Sequence, residues 1–208
     1  MGNNDIIIST LQNLPKNKIA LFGISCVDRL LYMYNFFVNE ISDEYNSELD
    51  IFKKGYSELS YMLNQAINSV LDESCTQYNF QECSEKCLIF APDTECISSV
   101  YAVIAQNCAI ALSYVFIFLL NENIESIYYC RSKISETIDI ISFSKNEEEE
   151  VLNSTLDNEN TIEYDILNKI IQFSKQINTT EIELLREIDK QNRIHRSAYQ
   201  GTERCYHC

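Results

Sequence analysis

Residues 96–120, CISSVYAVIAQNCAIALSYVFIFLL, run for 25 positions without a charged side chain, which is long enough to cross a bilayer as a helix. The flanks argue for another place. Glu95 precedes the run and Glu122 and Glu125 follow it, with no Lys/Arg excess to set an orientation, and Ser98, Ser99, Gln106, Asn107 and Ser113 interrupt it. A helix apolar on every side is equally the central member of a globular bundle, provided amphipathic helices surround it. The rest of the chain supplies such helices.

Working outward, Ile19, Phe22, Cys26, Leu30, Met33, Phe37 and Ile41 recur at spacings of three and four, predicting one long core-facing helix from Lys16 to about Ile41. Pro15 separates it from a short amphipathic helix over Asp5–Leu14. Ile51, Phe52, Tyr56, Leu59, Leu63, Ile67 and Val70 predict a second long helix from about Glu48 to Leu71. Cys83, Cys87 and Phe90 share a face of a shorter one that stops at Ala91-Pro92-Asp93. After a turn at Asn121–Asn123, Ile127, Ile134, Ile138 and Ile141 mark a helix reaching Lys145. Ile166, Ile170, Phe173 and Ile177 mark the next, and Ile182, Leu185 and Ile188 the last, which Thr179-Thr180 cap and which ends near Ile194. Between them, NSTLDNENT at 153–161 reads as a loop.

Four glycines (Gly2, Gly23, Gly55, Gly201) and two prolines (Pro15, Pro92) in 208 residues are too few for a fold of many tight hairpins. The expectation is an all-α protein: one domain over residues 1–196, a bundle of about seven or eight helices around a buried apolar central helix. Residues 197–208 carry no apolar period and are expected to form a flexible tail.

Sixteen Lys and Arg against thirty-one Asp and Glu leave a net charge of −15. Such a field repels nucleic-acid backbones and anionic lipid, and it accelerates encounter with a basic protein. The acids are unevenly placed: between Glu147 and Asp165 there are eight of them and no Lys or Arg.

Nine cysteines form an odd set, and the N-terminus MGNNDIIIST lacks the basic start of a secretory signal, which points to the reducing cytoplasm. Cys26, Cys108 and Cys130 lie in apolar helical runs and read as small core hydrophobes. Cys205-Tyr-His-Cys208 offers soft ligands, and Cys83 and Cys87 lie one helical turn apart, but their spacings match no zinc ribbon or finger. Neither a metal nor a cofactor is therefore expected. His195 and His207 both fall at the C-terminal end, so no Ser–His or Cys–His pair can form in the core, and no glycine-rich phosphate loop is present. Catalysis is not expected. Arg29, among Leu30 and Leu31 with Asp28 adjacent, predicts a buried guanidinium that bridges helices through a carboxylate such as Glu163 or Asp165.

The order Cys26-Val-Asp28-Arg29, then Tyr34 and Phe37, resembles a pattern of the YjaG-like bacterial family of helical domains of unknown function. Asn79-Phe80, Pro92-Asp93, the small residues of Ala102–Leu112, Glu163-Tyr164-Asp165 and Glu181–Leu185 follow in the family's order, so the similarity spans roughly Lys16–Gly201. The extra cysteines and the CYHC end depart from it. The resemblance implies a compact cytoplasmic helical bundle and supplies no catalytic residues. Relatives look to have been recruited as immunity proteins of bacterial toxin systems, which an acidic member suits.

Charge and resemblance together predict a non-enzymatic immunity protein that binds and neutralises a basic toxin domain, a nuclease such as an RNase of a contact-dependent growth inhibition system. The expected contacts are Glu147, Glu148, Glu149, Glu150, Asp157 and Glu159, with Glu40, Asp43, Glu44 and Glu48, around aromatic anchors drawn from exposed tyrosines. The alternative is a cytoplasmic helical protein that binds a small ligand or metal without catalysis.

Overall fold

The computed structural model describes residues 3–42, 49–72, 79–97 and 99–194. They form ten helices and, among the described residues, no strand: α1 (Asn3–Leu11), α2 (Lys16–Leu31), α3 (Tyr34–Ser42), α4 (Asp50–Lys53), α5 (Gly55–Leu71), α6 (Phe80–Ile89), α7 (Val100–Asn121), α8 (Glu125–Ser144), α9 (Glu149–Gln172) and α10 (Thr179–Gln191). The expected all-α class is correct, and the uncharged run is indeed its axis. α2, α3, α5, α6 and α8 pack around α7. Ala102, Ile104, Ala105, Cys108, Ala109, Ala111, Leu112, Val115 and Phe116 are completely buried in that sheath. The polar groups that mark α7 as a protein-buried helix are satisfied there: Asn107 Nδ2 donates to Thr137 Oγ1 at 3.2 Å, and the Ser84 and Ser113 hydroxyls bond at 2.8 Å.

Two long helices of the sequence reading are each broken in two. The stretch from Lys16 to Ile41 divides at Tyr32-Met33, where Met33, Asn35 and Phe36 donate backbone N–H groups three residues back, a tighter turn than the α-helix makes. The offset lets the buried Tyr34 cross to α5. Its hydroxyl donates to the Phe90 carbonyl at 2.8 Å, and its ring lies so close to Gly55 that a Cβ there would sit 2.2 Å from the oxygen. Gly55 begins α5, and Lys54 separates it from the single turn α4. Apolar periodicity runs through both breaks, so it marks the faces and not the joints.

Gly23 has a related role, since a Cβ there would lie 2.7 Å from Ile127 Cδ1 and 3.2 Å from Val115 Cγ2, where α2 meets α7 and α8. At the other end, the buried Lys18 donates from Nζ to the carbonyls of Ile171 and Phe173 at 2.8 and 2.7 Å. It thereby supplies hydrogen bonds and positive charge to the C-terminus of α9. The last helix is capped by Asn178, not by the two threonines. Asn178 Oδ1 accepts from Glu181 N at 3.1 Å while Glu181 Oε2 accepts from Asn178 N at 3.0 Å, a reciprocal cap. Residues 195–208, which include the expected tail and both histidines, lie outside the described residues.

Candidate functional site

The segment 153–161, expected to be a loop, is helical and belongs to the 24-residue α9. The stripe that folds it is Leu152, Leu156, Glu159, Glu163, Ile166 and Ile170, at spacings of three and four. Two of its members are glutamates, so the apolar pattern vanishes halfway, but both glutamates are buried against arginines. Arg29 is completely buried, and its Nη2 pairs with Glu159 Oε1 while its Nε donates to the Asn192 carbonyl at 3.1 Å. Arg131 of α8 holds the next turn: Nε meets Glu163 Oε2 at 2.6 Å, Nη2 meets Asn160 Oδ1 at 2.7 Å and Nη1 meets Asn4 Oδ1 at 2.5 Å. The expected bridging role of Arg29 is therefore correct, but its partner is Glu159. Glu163 belongs to Arg131, and Asp165 points to solvent.

This seam is electrically tense. Burial pushes the Glu163 carboxyl up to about 7, with the neighbouring Glu159 charge adding and the Arg131 guanidinium opposing. One helix over, the buried Asp189 accepts from Ser25 Oγ at 2.5 Å and is pushed up to about 8 by burial, which Asp28 reinforces and Arg29 and Arg186 oppose. Arg29 Nη1 and Arg193 Nε are buried without a hydrogen-bond partner among the described residues.

Glu159 is accordingly removed from the candidate contact surface. It is 7% exposed, and its charge is committed to Arg29. The other acids of the same stretch differ. Glu148, Glu149, Glu150 and Asp157 are exposed and make no ion pair among the described residues. Glu147 is half-buried in the turn between α8 and α9: its carboxylate accepts from Ser142 Oγ at 2.7 Å and from Lys145 Nζ at 3.2 Å, which hold it below the usual carboxylate range. Asn146, at φ 53°, reverses the chain there. Glu40 lies on α3, apart from this hairpin, and accepts a hydrogen bond from Ser99. Asp43, Glu44 and Glu48 lie outside the described residues.

The hairpin adds two residues that the sequence reading overlooked. Phe143 is 86% exposed at the end of α8, and Val151 is 47% exposed in the first turn of α9. Before Glu159, α9 has no fully buried side chain among the described residues, and its acidic N-terminal half packs on the core through the half-buried Leu152 and Leu156. Phe143 was legible: it falls two places after Ile141, off the stripe of Ile127, Ile134, Ile138 and Ile141.

Five of the described cysteines offer no reactive thiolate. Cys26, Cys83, Cys87, Cys108 and Cys130 are buried and unpaired, and burial pushes each thiol up, away from the reactive thiolate. Cys96 is exposed. Among the described residues no three His, Cys, Asp or Glu side chains are grouped to hold a metal ion. The CYHC end lies outside them.

No protein-family model matches the chain, and no curated protein matches it. A solved structure does: a DUF416 family protein from Shewanella baltica OS155, with a TM-score of 0.67, 16% sequence identity, and coverage of 88% of this chain and 92% of that one. The two share a helical fold over nearly their whole lengths.

Proposed function

We propose that this chain is a non-catalytic immunity protein of the bacterial cytoplasm, a relative of the YjaG-like helical family, that binds and neutralises a basic toxin domain. The observation that carries the reading is the α8–α9 hairpin. It presents Glu148, Glu149, Glu150 and Asp157, none of them neutralised by a described Lys or Arg, beside the exposed Phe143 and Val151. Exposed apolar side chains on the same hairpin as unpaired carboxylates suit a partner whose surface is cationic with an apolar contact nearby. A nuclease domain has such a surface because its cleft must hold phosphate. Occupying that cleft with carboxylates blocks it without any reaction.

The test is protection. A toxic domain encoded beside this chain is expressed in sensitive cells with the wild-type protein or with a variant carrying E148K, E149K, E150K and D157K. The wild type restores growth and the variant, equally folded by circular dichroism, does not. Equal protection by both overturns the reading.

A further inference from the structure

The two cysteines whose spacing fits no zinc ribbon or finger meet a third sulfur in the fold. Cys83 and Cys87 lie one turn apart on the face of α6 that meets α5, close enough that charge on Cys83 pushes the Cys87 thiol further up. From α5, Met62 places its Sδ 3.8 Å from Cys87 Sγ. Sulfurs bound to one ion at about 2.3 Å stand about 3.8–4.0 Å apart, whether the ion is four- or three-coordinate, so this pair already has the separation that sharing an ion requires. α5 also supplies Gln65, three places after Met62, whose Oε1 accepts from the Cys83 thiol at 3.7 Å. All three sulfur side chains are buried, Cys87 completely. A cavity of about 390 Å³ opens onto the group, with Met62, Gln65 and Cys83 in its lining beside Glu58, Glu82 and Lys86. An ion thus has a way in that ends at two of the three sulfurs.

Two thiols and a thioether, with no imidazole or carboxylate among them, make a soft donor set, and soft donors select monovalent copper over calcium or magnesium. Three sulfurs also fall short of the four ligands that structural zinc takes. We propose that Cys83, Cys87 and Met62 bind one Cu(I) ion in a three-coordinate sulfur site. Binding exchanges protons for metal without oxidation or reduction: the Cys83 and Cys87 thiols release one proton each, and both thiolates and the thioether donate electron pairs to the ion. Two thiolates around one monovalent cation leave one negative charge in the site. Burial holds both thiols protonated, so that charge needs support from its neighbours. Lys86 already opposes burial at Cys83. Gln65, with its amide turned over, donates an N–H to the thiolate where it now accepts from the thiol. None of these residues belongs to the α8–α9 hairpin, so the site does not depend on the immunity reading.

The test uses the full chain, reduced and free of oxygen, with its methionines labelled at the methyl carbon and Cu(I) supplied from a competing chelator. The methionines are Met1, Met33 and Met62, and the buried Met33 serves as an internal reference. One equivalent of Cu(I) shifts the Met62 methyl signal and leaves that of Met33 in place. C83S and C87S each abolish the shift at that concentration, through loss of a thiolate ligand. C205S/C208S, which removes the thiols of the C-terminal end, keeps it, and Zn(II) at the same concentration does not produce it. M62L retains an apolar side chain at this position and so guards against a folding defect in the cysteine variants. On the C205S/C208S background, read by competition with the chelator, it weakens Cu(I) binding about tenfold, because the thioether is the neutral ligand of the three. A Met62 methyl that does not move with one equivalent of Cu(I), a shift that survives both C83S and C87S, a shift lost in C205S/C208S, an equal response to Zn(II), or undiminished binding by M62L overturns the proposal.

Discussion

Asp189→Asn tests the electrostatic cost of burying a carboxyl in this fold. Asp189 is buried beside Ser25, Asp28 and Arg29, and its carboxyl is pushed from 3.8 up to about 8. A raised acid means that the folded state holds a proton which the unfolded chain has released. Stability is therefore highest at acid pH with respect to this group, and falls as pH rises from the unfolded value through the folded one. The slope between the two is about 1.4 kcal/mol per pH unit, and it levels off above the folded value, so the loss between pH 6 and pH 9 comes to about 3 kcal/mol. Asparagine keeps the shape of the neutral acid and cannot ionise. The assay is urea unfolding followed by circular dichroism at pH 6, 7, 8 and 9, wild type against variant, at constant ionic strength. The difference between the two proteins should grow by about 3 kcal/mol in favour of the variant across that range, with unchanged dependence on urea. Parallel pH profiles would refute the reasoning, because they would mean that Asp189 ionises in the fold as readily as it does in water.

Glu159→Ala leaves the guanidinium of Arg29 buried without its counter-charge, and should cost about 3–5 kcal/mol in urea or thermal unfolding. Gly55→Ala places a methyl group against the Tyr34 ring and hydroxyl; it should cost about 1–3 kcal/mol and release the bond to the Phe90 carbonyl, which the Tyr34 ring resonances would report. Asn178→Ala removes one half of the reciprocal cap of α10, and a loss of about 1 kcal/mol in chemical denaturation is expected. Phe143→Ser removes a ring that is mostly exposed, so stability should stay within about 0.5 kcal/mol while protection against the basic toxin domain weakens.

Helix faces were legible wherever an apolar residue returned every third or fourth place, because burial of that face is what drives the helix into the bundle. Joints were not. Tyr32-Met33 interrupts a helix without glycine or proline, and at Lys54-Gly55 the glycine alone does not announce a joint; the cause is remote, since Tyr34 must reach Phe90 across Gly55. α9 failed for a related reason. Its stripe passes through Glu159 and Glu163, whose burial depends on Arg29 and Arg131, more than a hundred and about thirty residues earlier. Local hydrophobicity carries no trace of such a pairing, although Arg29 among leucines did announce that some carboxylate had to come inside. Of the ten acids singled out as contacts, four are exposed on the hairpin without an ion pair among the described residues, Glu147 is tied into its turn, Glu159 is interior, Glu40 lines a different cleft, and Asp43, Glu44 and Glu48 lie outside the described residues. Composition counts charges, and only the neighbours of each determine which stay available.

The clamp on α9 has a mechanical consequence. The helix is gripped from Glu159 onward by two guanidinium groups and, at its far end, by Lys18, while the ten residues ahead of the grip extend about 15 Å. They are braced at the tip by the Ser142–Glu147 turn and along one side by Leu152 and Leu156, so the two ion pairs supply the support at the root. Loosening Arg131 from Glu163 would remove part of that support and shift Glu149 and Glu150 without altering either one. Substitutions far inside the bundle can thus degrade recognition at its edge, and a scan confined to surface acids would overlook them.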